Sequence, residues 1–303
     1  MGRSSSPRVR HLKGRLAAGV LKMIGVLPMR LNRWLGRTLG WLAWVLPSPD
    51  RRIAEINLQL CLPELSASEQ RRLLRQTLTQ SGLALAESAF VWQRPDEAVA
   101  LVQQVSGYEA LTEALEQGHS VLLLAPHYGC WEVLNFWLAQ RVTIHALFNP
   151  SGLPALDELI QRSRQHYGST VYPATARGLG GLIRALRQAP AVTGILPDQV
   201  PERGSGRFVP FFGQPAYTAT LAVKMVQQLN ARVFVASARR LPGGGYHVEF
   251  SAPEPGLYET DLDTALTALN LSLETLIRTD PSQYMWSYKR FRRTPPGARK
   301  VYQ

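Results

Sequence analysis

His127 and Glu132 are the pair of residues best suited to moving a proton. They lie in the stretch Val121 to Ala139, where four apolar residues, Val121 to Leu124, run into Pro126, His127 and Gly129 and then into Asn135, Phe136, Trp137 and Leu138. The apolar run reads as a strand buried on both faces, and the second run reads as a helix. A helix that starts just after a buried strand points free N–H groups into the crevice at the strand's carboxyl end, where α/β proteins commonly bind ligands. A turn folding back on the first helical residues would bring the Glu132 carboxylate to the His127 imidazole. A ring braced in this way is a better base, held in the useful tautomer, and can take a proton from an alcohol attacking a carbonyl carbon. The alternative is a histidine satisfied in a turn and a glutamate whose charge suits a helix start.

Asp198 also follows an apolar run, Ala191 to Leu196, so a parallel sheet would set it on the same edge as His127. The alternative there is an aspartate that caps a helix or a turn. Beyond it comes a Gly-, Pro- and aromatic-rich loop with Arg203 and Arg207, which could cover the crevice or shape an apolar slot through Phe208, Phe211 and Phe212. Arg177 stands just after a strand-like stretch at 169–172 and near a helix start, where it could hold a phosphate or carbonyl oxygen; otherwise it is a solvated charge. Gly178, Gly180 and Gly181 do not form a phosphate loop, because no Lys-Ser/Thr follows and the dinucleotide spacing fails at Ile183. Cys130 reads as a small residue filling the turn rather than as a nucleophile. His145, His166 and His247 form no ligand-spaced pair with His127, and no Cys-x-x-Cys occurs, so a zinc site is not expected.

The elements that must position these residues alternate. Strands are expected at 143–148, 169–172, 191–196, 232–236 and 246–250, and helices at 68–92, 107–118, 154–166, 178–188, 217–229 and 263–279. This predicts an α/β protein with a largely parallel or mixed central sheet flanked by helices. Two units are expected: a basic N-terminal segment and amphipathic helix over 1–47, and a catalytic domain over 48–303.

Of the 303 residues, 45% are hydrophobic and the mean hydropathy is −0.11, which fits a folded chain and excludes a polytopic membrane protein. The net charge of +12 and pI near 10.1 call for an acidic partner. No nucleic-acid reading motif accompanies that charge, which leaves an anionic membrane surface or an acidic carrier protein. The two cysteines, Cys61 and Cys130, match a reducing compartment. Residues 16–47 are apolar but interrupted by Lys22, Arg30, Arg33 and Arg37, and the longest uncharged piece, Thr38 to Pro47, reaches about half the length of a bilayer span. On a helical wheel Leu31, Trp34, Leu35, Thr38, Leu42 and Val45 share one side and Arg30, Arg33 and Arg37 the other. The reading is a membrane-associating helix with Trp34, Trp41 and Trp44 at headgroup level, against a helix packed on the protein's own core. Residues 1–14 are polar, basic and expected to be mobile.

Taken together the motifs resemble the late acyltransferases of lipid A biosynthesis, the lauroyl- and myristoyltransferase family, within the wider group of His-x4-Asp/Glu acyltransferases. They are Asn57-Leu58, Cys61-Leu62-Pro63-Glu64, the His127/Glu132 box, Pro197-Asp198-Gln199, Phe208 to Gly213, Gln283-Tyr284-Met285-Trp286 and Lys289-Arg290-Phe291. Phe148-Asn149-Pro150 departs from that family, which often carries arginine before the proline. The resemblance implies transfer of a fatty acyl chain from acyl carrier protein to a hydroxyl of a lipid A precursor, with no cofactor, metal or covalent enzyme intermediate. His127 would be the general base and Glu132 its partner, amides near Gly129 would meet the oxyanion, and Arg177, Asp198, Gln199 and Arg203 would contact substrate. It also implies a place at the cytoplasmic face of the bacterial inner membrane, peripheral or anchored by one helix. Two other readings stay open: an acyltransferase for another lipid acceptor such as a lysophospholipid or glycolipid, and a membrane- or carrier-binding module without turnover. A metal-dependent hydrolase would need bound zinc.

Overall fold

The computed structural model describes residues 7–302, with side chains described from Gly14 onward. The order is α1 (Pro7–Gly25), α2 (Met29–Val45), α3 (Pro49–Cys61), α4 (Ala67–Val91), α5 (Pro95–Val99), β1 (Val102–Ser106), α6 (Tyr108–Glu116), β2 (Val121–Leu124), α7 (Trp131–Ala139), β3 (His145–Phe148) and α8 (Pro154–Arg164). It continues with β4 (Thr170–Pro173), α9 (Ala176–Gln188), β5 (Val192–Ile195), β6 (Gly206–Phe211), β7 (Gln214–Ala219), α10 (Leu221–Leu229), β8 (Arg232–Arg240), β9 (Tyr246–Ser251) and α11 (Leu262–Thr279).

The central five-stranded sheet has the order β1-β9-β8-β2-β5. β2 is parallel to both β5 and β8, β8 is antiparallel to β9, and β1 is parallel to β9. The parallel pair β3–β4 adjoins β5 through an Ile144–Val192 bridge. The period of two along β2 splits the core between the sheet faces. Leu122 and Leu124 pack among residues of α9, α10 and α11, whereas Val121 and Leu123 pack among residues of α6 and α7.

The expected α/β architecture is therefore present, with the short helix α5 and two further elements added. Val102–Ser106 is a strand, and the stretch expected to be a loop running into a helix at 217 contains the antiparallel hairpin β6–β7. Its Phe211 and Phe212 are buried against Tyr284, Trp286 and Phe291 rather than lining a slot. The N-terminal stretch forms two helices, broken at Pro28, and residues 7–14, expected to be mobile, belong to α1. Residues 1–6 lie outside the described ones.

The packing of α2 corrects the helical-wheel reading of its charged side. Asn32, Arg33, Gly36 and Gly40 form its buried face against α4. The backbones come so close that a Cβ on Gly82 would lie 2.1 Å from the Gly36 oxygen. Arg33 is thus not a solvated charge beside Arg30 and Arg37: its Nε meets Glu87 Oε1 at 2.6 Å, and Glu87 is fully buried. Trp44 also turns inward, partly buried beneath Arg51 and Arg71. The apolar side of α2 has no core to cover, and Leu31, Trp34 and Trp41 are 53%, 65% and 51% exposed. Among the described residues no helix is long and apolar enough to cross a membrane.

Candidate active site

The strand β2 delivers the chain into the turn Ala125 to Cys130, and that turn is tied down on two sides. Gly129 adopts φ +60°, and a Cβ there would meet the Ala238 oxygen at 2.2 Å, so the position accepts no larger residue without backbone movement. The Gly129 N–H donates to the Gln283 carbonyl at 3.1 Å and the Cys130 N–H to the Ala238 carbonyl at 2.8 Å, while the Met285 N–H donates to the His127 carbonyl at 3.1 Å. The Gln283-Tyr284-Met285-Trp286 motif is thus the brace of the histidine turn. Gln283 is fixed in turn by bonds in both directions with the Arg240 backbone. Arg240 reaches Glu87 Oε2 through Nε at 2.7 Å and the Gly129 carbonyl through Nη2 at 3.2 Å. Arg33, Glu87 and Arg240 therefore link α2 to the turn. Burial opposes the Glu87 charge, yet Arg240 and Arg33 outweigh it and hold the carboxyl below its ordinary range.

The acid that grips His127 is Asp198, not Glu132. Oδ1 of Asp198 accepts from Nδ1 of the ring at 2.9 Å, and Oδ2 accepts from the His127 backbone N–H at 3.0 Å. One carboxylate thereby fixes both the turn and the tautomer: with its proton on Nδ1, the ring keeps a lone pair on Nε2. The Gln199 amide nitrogen lies 3.1 Å from Nε2 and caps that lone pair. Burial disfavours an imidazolium here, but the attraction and hydrogen bond of Asp198, with a lesser contribution from Glu132, raise the pKa of His127 above its ordinary value. Burial likewise opposes the Asp198 charge, and His127 holds that carboxyl below the usual range. Burial and the adjacent Asp198 charge push the Tyr284 phenol well above its ordinary pKa.

Glu132, the second residue of α7, is buried and turned to the other side. Its Oε1 accepts from Arg164 Nη2 at 2.6 Å and its Oε2 from Arg164 Nε at 3.4 Å. Glu132 raises the Arg164 pKa against the opposing effect of burial. Arg164 ends α8, and nothing in its sequence neighbourhood distinguishes it from Arg162 two residues earlier. Arg177 does not reach this centre: it is exposed in the first turn of α9 after β4, the strand beyond β3 from β5. Arg203 is exposed in the turn between β5 and β6. Among the described residues neither side chain makes a hydrogen bond or ion pair.

Between β2, β5 and α7 lies a cavity of about 90 Å³ lined by Leu123, Ala125, Leu134, Leu138, Ile144 and Val192, with Trp131, Glu132 and Arg164 also on its wall. The side-chain nitrogen of Asn135, also on that wall, is buried and has no partner among the described residues. The turn amides expected to meet an oxyanion are already used by Gln283 and Ala238. The first turn of α7 offers the N–H groups of Trp131 and Glu132 instead. Among the described residues no group of three or more His, Cys, Asp or Glu side chains is placed to hold a metal.

The site thus combines a clamped imidazole, a buried acid–arginine pair and an apolar cavity beside them. Residues 3–293 match the family model for bacterial lipid A biosynthesis acyltransferases. The chain belongs to this family. It is 28% identical to a lipid A biosynthesis palmitoleoyltransferase of Escherichia coli (strain K12) over 286 residues, covering 94% of this chain and 92% of the relative. It is 28% identical over 289 residues to the lauroyltransferase of the same strain, covering 95% and 94% of the two chains. A lipid A biosynthesis acyltransferase of Haemophilus influenzae is 30% identical over 293 residues, covering 92% of this chain and 90% of that one. As a member of this family, the enzyme acylates a lipid A precursor.

Proposed function

We propose that the enzyme moves a fatty acyl chain from the thioester of acyl carrier protein to a hydroxyl of the lipid A precursor, with His127 as general base and Asp198, rather than Glu132 alone, as the acid that orients it. The observation that carries this reading is the 2.9 Å bond from Nδ1 to Asp198, which leaves Nε2 as the basic atom of a ring whose centroid lies 5.1 Å from that of Trp131 on the cavity wall. Nε2 takes the hydroxyl proton, the oxygen attacks the thioester carbon, and the thiol leaves with the proton returned by the imidazolium. The Glu132–Arg164 pair fixes the start of α7, whose open N–H groups meet the developing oxyanion. The apolar cavity, at about 90 Å³, takes only the first few carbons of the acyl chain next to the thioester. Gln199 moves off Nε2 as the acceptor hydroxyl takes its place, while Arg177 and Arg203 contribute at most peripheral contacts.

The exposed apolar face of α2 and the cations Lys22, Arg30 and Arg37 support peripheral attachment of an N-terminal unit, 1–47, to an anionic membrane, with the catalytic part following from 48 at the cytoplasmic face. The test is to incubate the full chain in neutral detergent with the lipid A precursor and either acyl carrier protein or coenzyme A thioesters, and to weigh the lipids. A precursor heavier by one acyl chain with the carrier thioester is expected. Acylation of a lysophospholipid or glycolipid in its place, or use of the coenzyme A thioester alone, overturns the assignment.

A further inference from the structure

The cavity between β2, β5 and α7 carries one polar group that the reaction above leaves unused. Trp131, Asn135 and Leu138 follow one another at spacings of four and three along α7, so they share the face of the helix that forms one wall. Leu123 of β2 and Val192 of β5 supply the wall on the sheet side. The charged side chains on the wall, Glu132 and Arg164, satisfy each other at 2.6 Å. Asn135 is different: its Nδ2 is shut off from solvent and has no hydrogen-bond partner among the described residues. A buried amide without a partner costs stability, and in a native fold such a group calls for a reason. An apolar side chain would fill the same position without that cost.

The place of Asn135 on the wall defines its partner. The reacting carbonyl has to lie within reach of a hydroxyl held on Nε2 of His127, whose ring meets Trp131 edge-on at 5.1 Å. Asn135 stands one helical turn, about 5–6 Å, further along the wall than Trp131. It therefore meets the first carbons of the acyl chain rather than the carbonyl, and a cavity of about 90 Å³ holds just those carbons. A plain methylene there leaves the amide unpaired, whereas a hydroxyl accepts from its N–H. We propose that Asn135 selects an acyl donor hydroxylated on carbon 2 or 3, a substrate class distinct from the plain fatty acyl chain. The hydroxyl is a bystander: no bond to it forms or breaks, and the thiol and ester produced are those of the reaction above. The proposal rests on that acyl-transfer reading.

The test is a competition. The full chain in neutral detergent receives the lipid A precursor with equal amounts of lauroyl, 2-hydroxylauroyl and 3-hydroxylauroyl acyl carrier protein, and the products are weighed. The parent enzyme is expected to take one of the hydroxylated chains at least about tenfold more often than lauroyl, since a site built to bond a hydroxyl discriminates against the chain that lacks it. Asn135→Leu is expected to bring that ratio to within about threefold of one. Equal use of the three donors by the parent, a preference for lauroyl, or a ratio that survives in the variant overturns the proposal. Slowing of all three donors alike by the variant, with the ratio kept, would make Asn135 a group acting on the carbonyl and overturns it too. If Asn135→Leu does not fold, Asn135→Ala takes its place, and the ratio shown by the parent stands as a test without either. Should the parent transfer none of the donors, the reaction reading fails by itself and binding decides. The unreactive ketone analogues of hexanoyl, 2-hydroxyhexanoyl and 3-hydroxyhexanoyl pantetheine are then titrated by calorimetry, and one hydroxylated analogue is expected to bind at least about tenfold more tightly than the plain one. Equal binding of the three sinks the proposal.

Discussion

Asp198 and Glu132 are both buried acids beside the same histidine turn, and they hold different partners. Asp198 lies 71 positions from His127 and bonds both its ring and its backbone; Glu132, five positions away, bonds Arg164, 32 positions further on. The near residue in sequence is the distant one in bonding. The difference shows two functions kept apart. One carboxylate raises the pKa of the imidazole, and the other, neutralised by a guanidinium, anchors the start of α7. Two carboxylates left unpaired at one imidazole would repel each other, and the arginine removes that conflict.

The sharpest test of this division removes the base. His127→Ala is expected to lower acyl transfer at least about 10²-fold, the lower end of a general base's contribution, in a variant that still folds but melts at a lower temperature because buried Asp198 loses its ring partner. Near-normal turnover by a folded variant would move the chemistry elsewhere.

Next is Asp198→Asn, expected to cost about 10-fold or more in kcat/KM and to shift the pH profile. The reaction needs a neutral imidazole, and Asp198 raises the imidazole pKa, so parent activity falls off on the acid side at a pH above the ordinary value of about 6.5. Without the carboxylate, burial is opposed only by the lesser contribution of Glu132, and the acid limb moves to lower pH. A limb that stays in place would show that Asp198 does not set the base.

Glu132→Gln should act mainly on stability. Breaking a buried ion pair costs roughly 3–5 kcal/mol, and the partial exposure of Arg164 reduces this to about 1–3 kcal/mol. Combining it with Arg164→Met should recover much of the stability in urea unfolding and none of the lost activity. Recovery of both would reduce the pair to a structural clamp. The smallest effect is expected for Gln199→Ala, which frees Nε2: kcat/KM should change less than about 5-fold, and a larger loss would make the amide a positioning group for the acceptor.

Much of this centre was legible in the chain. An apolar run of four followed by Pro-His-x-Gly and a helix-forming stretch specifies strand, turn and helix through local periodicity. A second apolar run ending just before Asp198 placed that acid on the same edge, because parallel neighbours end together. Arg164 left no such mark, since a basic residue in a last helical turn is satisfied by the helix itself. Arg177 looked equivalent to it and lies two strands further out than β5. The hairpin β6–β7 leaves only a loop-like signal in the sequence, because its Gly and Pro residues weaken the local strand pattern.

The sequence by itself determined most of the order of strands and helices, though not β1 or the β6–β7 hairpin, the edge that His127 and Asp198 share, and the presence of an apolar stripe on α2, since these follow from the period of side chains along the chain. Only the tertiary structure decided which acid meets the imidazole, which arginine neutralises the other acid, and which side of α2 is buried. Those outcomes depend on distances across the fold. Gly36, Gly40 and Gly82 let two helices touch and draw Arg33 inside, and the Gly129 turn, stitched to Ala238 and Gln283, fixes His127 against Asp198.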